Sequence, residues 1–109
     1  MKVFPVYQPY QKRCRLVFIG ISEAVWDKQT INERLEHVFQ EGQNEFNPVP
    51  GVCSVSVGDI VFMDERSYIC EPASWREITA PDLYRYCNMN EDKQWEYARN
   101  FNRSKQDAK

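Results

Sequence analysis

The sequence predicts an α+β fold: a small twisted antiparallel sheet of four to six strands, with one packed helix and two C-terminal helices. Three observations carry that expectation. Short stretches of apolar alternation open the chain and recur after residue 52. One amphipathic helical stretch, 30–42, lies between them. From Thr79 onward the alternation gives way to helix-start residues and helical spacing. The 109 residues make one domain, read as 1–103 with a frayed polar tail at 104–109. Three Trp, six Tyr and six Phe supply enough area for a small core, which excludes disorder for most of the chain.

In chain order, residues 2–7 alternate Val3, Phe4 and Val6 around Pro5 and read as a short or edge strand. Residues 15–21 (RLVFIGI) make a stronger strand, paired with the first through a turn at 8–12. Thr30 and Glu33 form a capping box, in which each side chain bonds the other residue's backbone N–H. Ile31, Leu35, Val38 and Phe39 follow as one apolar stripe, and Gly42 stops the helix. After a loop with two prolines, residues 52–57 alternate like a strand and Gly58-Asp59 bends the chain. Residues 60–63 and 67–70 flank Asp64-Glu65-Arg66 as a hairpin, and Trp75–Ile78 adds a last strand. Thr79 with Pro81 starts one helix, and Asn90 before Glu91 and Asp92 starts another. On that last helix Trp95, Ala98 and Asn102 share one side.

The formal charge of −2 is a cancellation. Residues 1–22 hold four basic residues and no acid, whereas 23–92 hold fourteen acids against five bases. The last seventeen residues are basic again. Such a layout bears on association rather than on fold. Cys14, Cys53, Cys70 and Cys87 lack the close pairing of a zinc site and are expected to be reduced and buried, Cys53 and Cys70 at strand positions. With no signal-peptide region and no apolar run of ~20 residues, the expected location is the cytoplasm.

No catalytic constellation is evident. His37 stands alone between Glu33 and Glu41 on a helix and reads as solvent-facing. No nucleophile elbow or phosphate-binding glycine loop is present. Asp59, Asp64, Glu65 and Glu71 cluster in sequence, yet acids around a hairpin are ordinarily solvated. The expectation is a non-enzyme without metal or cofactor. Protein binding fits best, through acidic Glu33, Glu36, Glu41 and Glu45 and through Tyr84, Trp95 and Tyr97, aromatics surplus to a small core. The alternative is a nucleic-acid module built on Tyr7, Tyr10, Lys12, Arg13 and Arg15, where basic and aromatic residues interleave. The oligomeric state stays open, a homodimer included.

Residues 54–78 carry Ser56-Val57-Gly58-Asp59-Ile60-Val61, then Tyr68, Trp75 and Ile78, after a helix bearing Val38-Phe39. Over residues 30–78 this pattern resembles the YodL-like domain of small phage, plasmid and conjugative-element proteins. Pro72-Ala73-Ser74 stands where that pattern has an aromatic-Gly approach, and the C-terminal helices are an addition to it. The resemblance implies the context of a mobile genetic element in a host cell, with no activity and no catalytic residue. Taken with the missing catalytic constellation, the acidic middle and the surplus aromatics, it makes the expectation a non-enzymatic phage or plasmid accessory protein that binds another protein. Inhibition of a host defence nuclease or similar host factor is one form of it.

Overall fold

A computed structural model describes residues 2–9, 11–44 and 53–107, with the side chains of the last helix as far as Arg99. The elements are β1 (Lys2–Gln8), β2 (Arg13–Ile19), α1 (Glu23–Asp27), α2 (Ile31–Glu41), β3 (Ile60–Met63), β4 (Arg66–Cys70), β5 (Trp75–Ile78), α3 (Ala80–Cys87) and α4 (Glu91–Asp107). All strand pairs are antiparallel, in the order β2-β1-β3-β4-β5. The α+β architecture is the one the sequence predicts.

β1 is an interior strand rather than an edge. Its Pro5 is tolerated because β3 pairs with Val6 and Tyr7 alone, so the first half of β1 has a neighbour only in β2. The turn to β2 closes with Gln11 N–H on the Gln8 carbonyl and Lys12 N–H on that of Pro9, with Lys12 in the left-handed region at φ 52°. The β3–β4 turn is Asp64-Glu65, with both residues at positive φ, the conformation whose twist suits a two-residue hairpin.

α2 forms as expected. Thr30 Oγ1 accepts from Glu33 N–H at 3.2 Å, and Glu33 Oε1 accepts from Thr30 N–H at 3.0 Å. Leu35 and Val38 are fully buried, each contributing about 1.5–3 kcal/mol relative to exposure. Gly42 ends the helix at φ −85°, so left-handed freedom is not its purpose. A Cβ there would lie 2.3 Å from Val55 Cγ2, so only glycine fits under that side chain. α1, a single turn capped by Ser22, goes beyond the sequence-based reading and delivers Trp26 to the core, stacked on Phe4 at 5.4 Å.

Residues 53–57 are not a strand, despite their alternation. Their backbone groups are satisfied outside a ladder, by side chains at the carbonyls and by the Gly42 carbonyl at Val55 N–H. Gln8 Nε2 donates to the carbonyls of Cys53 and Ser54, Gln43 Nε2 donates to that of Val55, and Ser54 Oγ accepts from Asn44 N–H.

Strand alternation divides the core between two sheet faces. Val6, Val17, Val61 and Tyr68 pack beneath α1 and α2, with Leu35, Val38 and Trp75. Ile60, Ile69 and Ile78 pack on the opposite face with Tyr86 of α3 and Ala98 of α4. The C-terminal helices therefore make a third layer on that face. α4 stays helical to Asp107, taking in the polar stretch beyond Arg103 that composition assigns to a frayed tail. The third layer leaves the β1–β2 half of its face open, where Leu16 and Phe18 are each 54% exposed beside Val3.

Candidate functional site

The site is organised around the bend at Gly58-Asp59. Asp59 is fully buried, and its Oδ2 accepts from Ser56 N–H at 2.9 Å and from Gln8 Nε2 at 3.2 Å. The Asp59 carbonyl accepts from Cys70 N–H, while Gly58 N–H donates to the Cys70 carbonyl, which fastens the bend to β4. Gly58 sits at φ +96°, and Tyr86 Oη donates to its carbonyl at 2.6 Å. Gln94 is nine-tenths buried and donates from Nε2 to the Tyr86 carbonyl, joining α4 to α3. Tyr97 lies 5.3 Å from the Tyr86 ring with the Arg76 guanidinium over it at 5.1 Å. Arg76 also meets the buried Glu71 carboxylate at 3.0 Å.

Between this bend and the first turns of α4 lies a cleft of about 600 Å³, within the ordinary range for ligand pockets. Pro9, Ser56, Gly58 and Tyr86 form one side, and Glu91, Asp92 and Trp95 the other. Both acids are exposed in the first turn of α4, where their two charges exceed the roughly half positive charge of the helix end. Trp95 is 53% exposed, and Arg99 lies 4.5 Å from its ring centroid. The cleft thus combines apolar and aromatic walls with a negatively charged rim, a chemistry suited to a cationic and apolar ligand.

The expected protein-binding residues do not form one surface. Glu33 and Glu36 lie on α2, on the opposite side of the sheet from Tyr84, Trp95 and Tyr97. Glu33 is engaged in its capping box, and the Thr30 N–H holds its carboxyl below the ordinary value. Glu36 accepts from Trp75 Nε1 at 3.2 Å, Glu41 is half-buried, and Glu45 lies outside the described residues. Of the aromatics, Tyr84 and Trp95 are exposed, whereas Tyr97 is half-buried against Tyr86. Trp95 does not share the inward side with Ala98. That side runs Gln94–Ala98, one helical turn apart, because the residue preceding Trp95 is the one that reaches Tyr86.

The basic strand pair is likewise divided. Arg15 is buried beneath β2, donating to Asn44 Oδ1 and the Cys53 carbonyl, and burial pushes its pKa down. Tyr7 is half-buried in the α3–α4 cluster, Lys12 and Arg13 are exposed, and Tyr10 lies outside the described residues. Alternation explains the split, since every second residue of β2 must face the helices.

His37 is half-buried, not solvent-facing, with Nε2 2.9 Å from Gln29 Nε2 and the Trp26 ring at 6.5 Å. Of the cysteines only Cys70 is buried, whereas Cys14, Cys53 and Cys87 are exposed; all four are free. Asp64 and Glu65 are exposed at the hairpin tip, away from buried Asp59 and Glu71, and among the described residues no three His, Cys, Asp or Glu side chains gather. No helix among them is long and apolar enough to cross a membrane.

Sequence patterns do not reveal Gln8 and Gln43 as anchors, because a glutamine's partner is set by the fold. Gln8 carries a contextual signal, since a polar residue at an inward position of a strand demands buried partners, whereas Gln43, just past α2, carries none. No protein-family model matches the chain, and no curated protein or solved structure matches it.

Proposed function

We propose that this chain is a non-enzymatic accessory protein of a phage or plasmid that acts by binding another protein, inhibition of a host defence nuclease or similar host factor being the form this takes. The mobile-element context comes from the resemblance to YodL-like domains. The single observation that carries the binding role is Trp95, half-exposed at a cleft of about 600 Å³ whose rim carries Glu91 and Asp92. Large rings placed so are typical of interface centres, where they bury much area for little loss of entropy. The partner is expected to present a basic segment with an apolar side chain, the lysine or arginine meeting the two carboxylates and the apolar group lying on the Trp95 ring.

The test compares proteins captured from host lysate by the wild-type chain, by Trp95→Ala and by Glu91→Lys with Asp92→Lys. A stoichiometric partner retained by the first and lost by both variants, with unchanged circular dichroism, is the expected result. Equal capture by all three removes the cleft as the binding surface.

A further inference from the structure

We propose that β2 is a homodimer interface, pairing antiparallel with β2 of a second copy about a two-fold axis at Leu16, independently of the cleft. Among the described residues β2 pairs only with β1, so its outer edge carries no strand. Proline determines which backbone groups face that edge. Pro5 lies opposite Leu16 and has no N–H, so this pair cannot be one that exchanges two ladder bonds. The exchanging pairs are therefore Phe4 with Val17 and Val6 with Arg15. It follows that Cys14, Leu16 and Phe18 direct both N–H and C=O outward.

A two-fold axis through Leu16 satisfies all three. Leu16 exchanges bonds with its own copy, and Cys14 exchanges with Phe18 of the partner subunit on either side. The side chains of the same three residues lie on the open sheet face beside Val3 and Pro5, so the two apolar patches become continuous. In this register no charged residue of β2 stands opposite another. Arg13 falls opposite Ile19, at the end where α1 opens with Glu23, which is exposed and paired to Lys2 at 2.8 Å. Moving the axis to Arg15 would oppose two arginines. The two Arg13 positions lie six residues apart along the ladder, about 20 Å, beyond the screening length at physiological salt. Natural proteins usually blunt a long apolar edge with an inward-pointing lysine or proline. Here the residues with outward backbone groups are Cys, Leu and Phe.

Light scattering during size exclusion over a concentration series tests this. The wild-type chain is expected to shift from 13.0 kDa toward twice that mass. Leu16→Lys, which opposes two ammonium groups at the axis, is expected to raise the dimerisation midpoint about tenfold or more. Amide exchange on the wild-type chain supplies a readout that needs no variant. Protection of the Cys14, Leu16 and Phe18 amides rises with concentration, while that of Arg15 and Val17, bonded to β1, does not. A wild-type chain monomeric at every concentration overturns the proposal. So does a dimer without concentration-dependent protection at those three amides. A dimer that a folded Leu16→Lys leaves intact overturns it as well.

Discussion

Tyr86 and Gly58 constrain each other so closely that neither position tolerates ordinary substitution. Gly58 holds φ +96°, and a Cβ there would stand 2.9 Å from the Tyr86 hydroxyl. Gly58→Ala therefore combines left-handed backbone strain with a displaced buried hydrogen bond, and urea melts are expected to show a loss of about 2–3 kcal/mol. Tyr86→Phe removes only the bond and should cost about 1–2 kcal/mol in the same assay. Cys70 makes a chemical prediction. Burial, then the negative charges of Asp59, Glu36 and Glu71, push its thiol up to about 12. It stays protonated at pH 8 and is expected to resist a thiol-titrating reagent, while exposed Cys14, Cys53 and Cys87 react. Four thiols react after denaturation, and a native count of four would refute the burial of Cys70.

Among the elements, α2 and the β3–β4 hairpin were legible because their signals are local. A capping box, an apolar stripe and a polar turn each lie within a few positions of the residues they order, although the turn is Asp64-Glu65 alone and Arg66, read as part of it, opens β4. Segment 53–57 was not, because its alternation is real while its hydrogen-bond partners, Gln8 and Gln43, come from elsewhere. The cleft was partly legible: Trp95 stood out as a surplus aromatic, but nothing local told it from Tyr97, which the fold half-buries. The Asp64-Glu65 turn also yields a stability prediction. Glu65 holds φ 65° without being glycine, so Glu65→Gly should raise the melting temperature or leave it unchanged, although glycine elsewhere destabilises. Phe39 and Trp75 meet edge to face at 6.5 Å, with Trp75 buried and Phe39 only partly so. Calorimetric melts should show Trp75→Ala costing about 3–5 kcal/mol and Phe39→Ala less.

At the scale of the whole molecule, one sheet serves two cores of unequal extent, and the uncovered remainder is the β1–β2 surface. The charge layout acquires spatial meaning here. The basic start of the chain is partly spent inside the fold, with Arg15 buried and Lys2 paired to Glu23 at 2.8 Å. That pairing holds the Glu23 carboxyl below its ordinary value, as the Thr30 N–H does for Glu33. A carboxyl lowered on folding stabilises the fold above its unfolded pKa, and that contribution disappears as pH falls through the folded one. Melting temperatures should therefore drop as pH is taken from 6 toward 3, and Glu23→Gln with Glu33→Gln should flatten that fall. An unchanged slope would discount both interactions.

The place of β1 between β2 and β3 also has a consequence for how the chain assembles. Val6 pairs with Val61, so the middle of the sheet cannot close until most of the sequence has been made. The β1–β2 hairpin needs only local contacts and can form early, with one edge waiting for β3 and the other left without a strand by the rest of the described chain. During synthesis the molecule therefore passes through an interval in which a nascent hairpin offers two apolar edges. Folding rate, more than final stability, governs how much of it escapes mispairing on the ribosome.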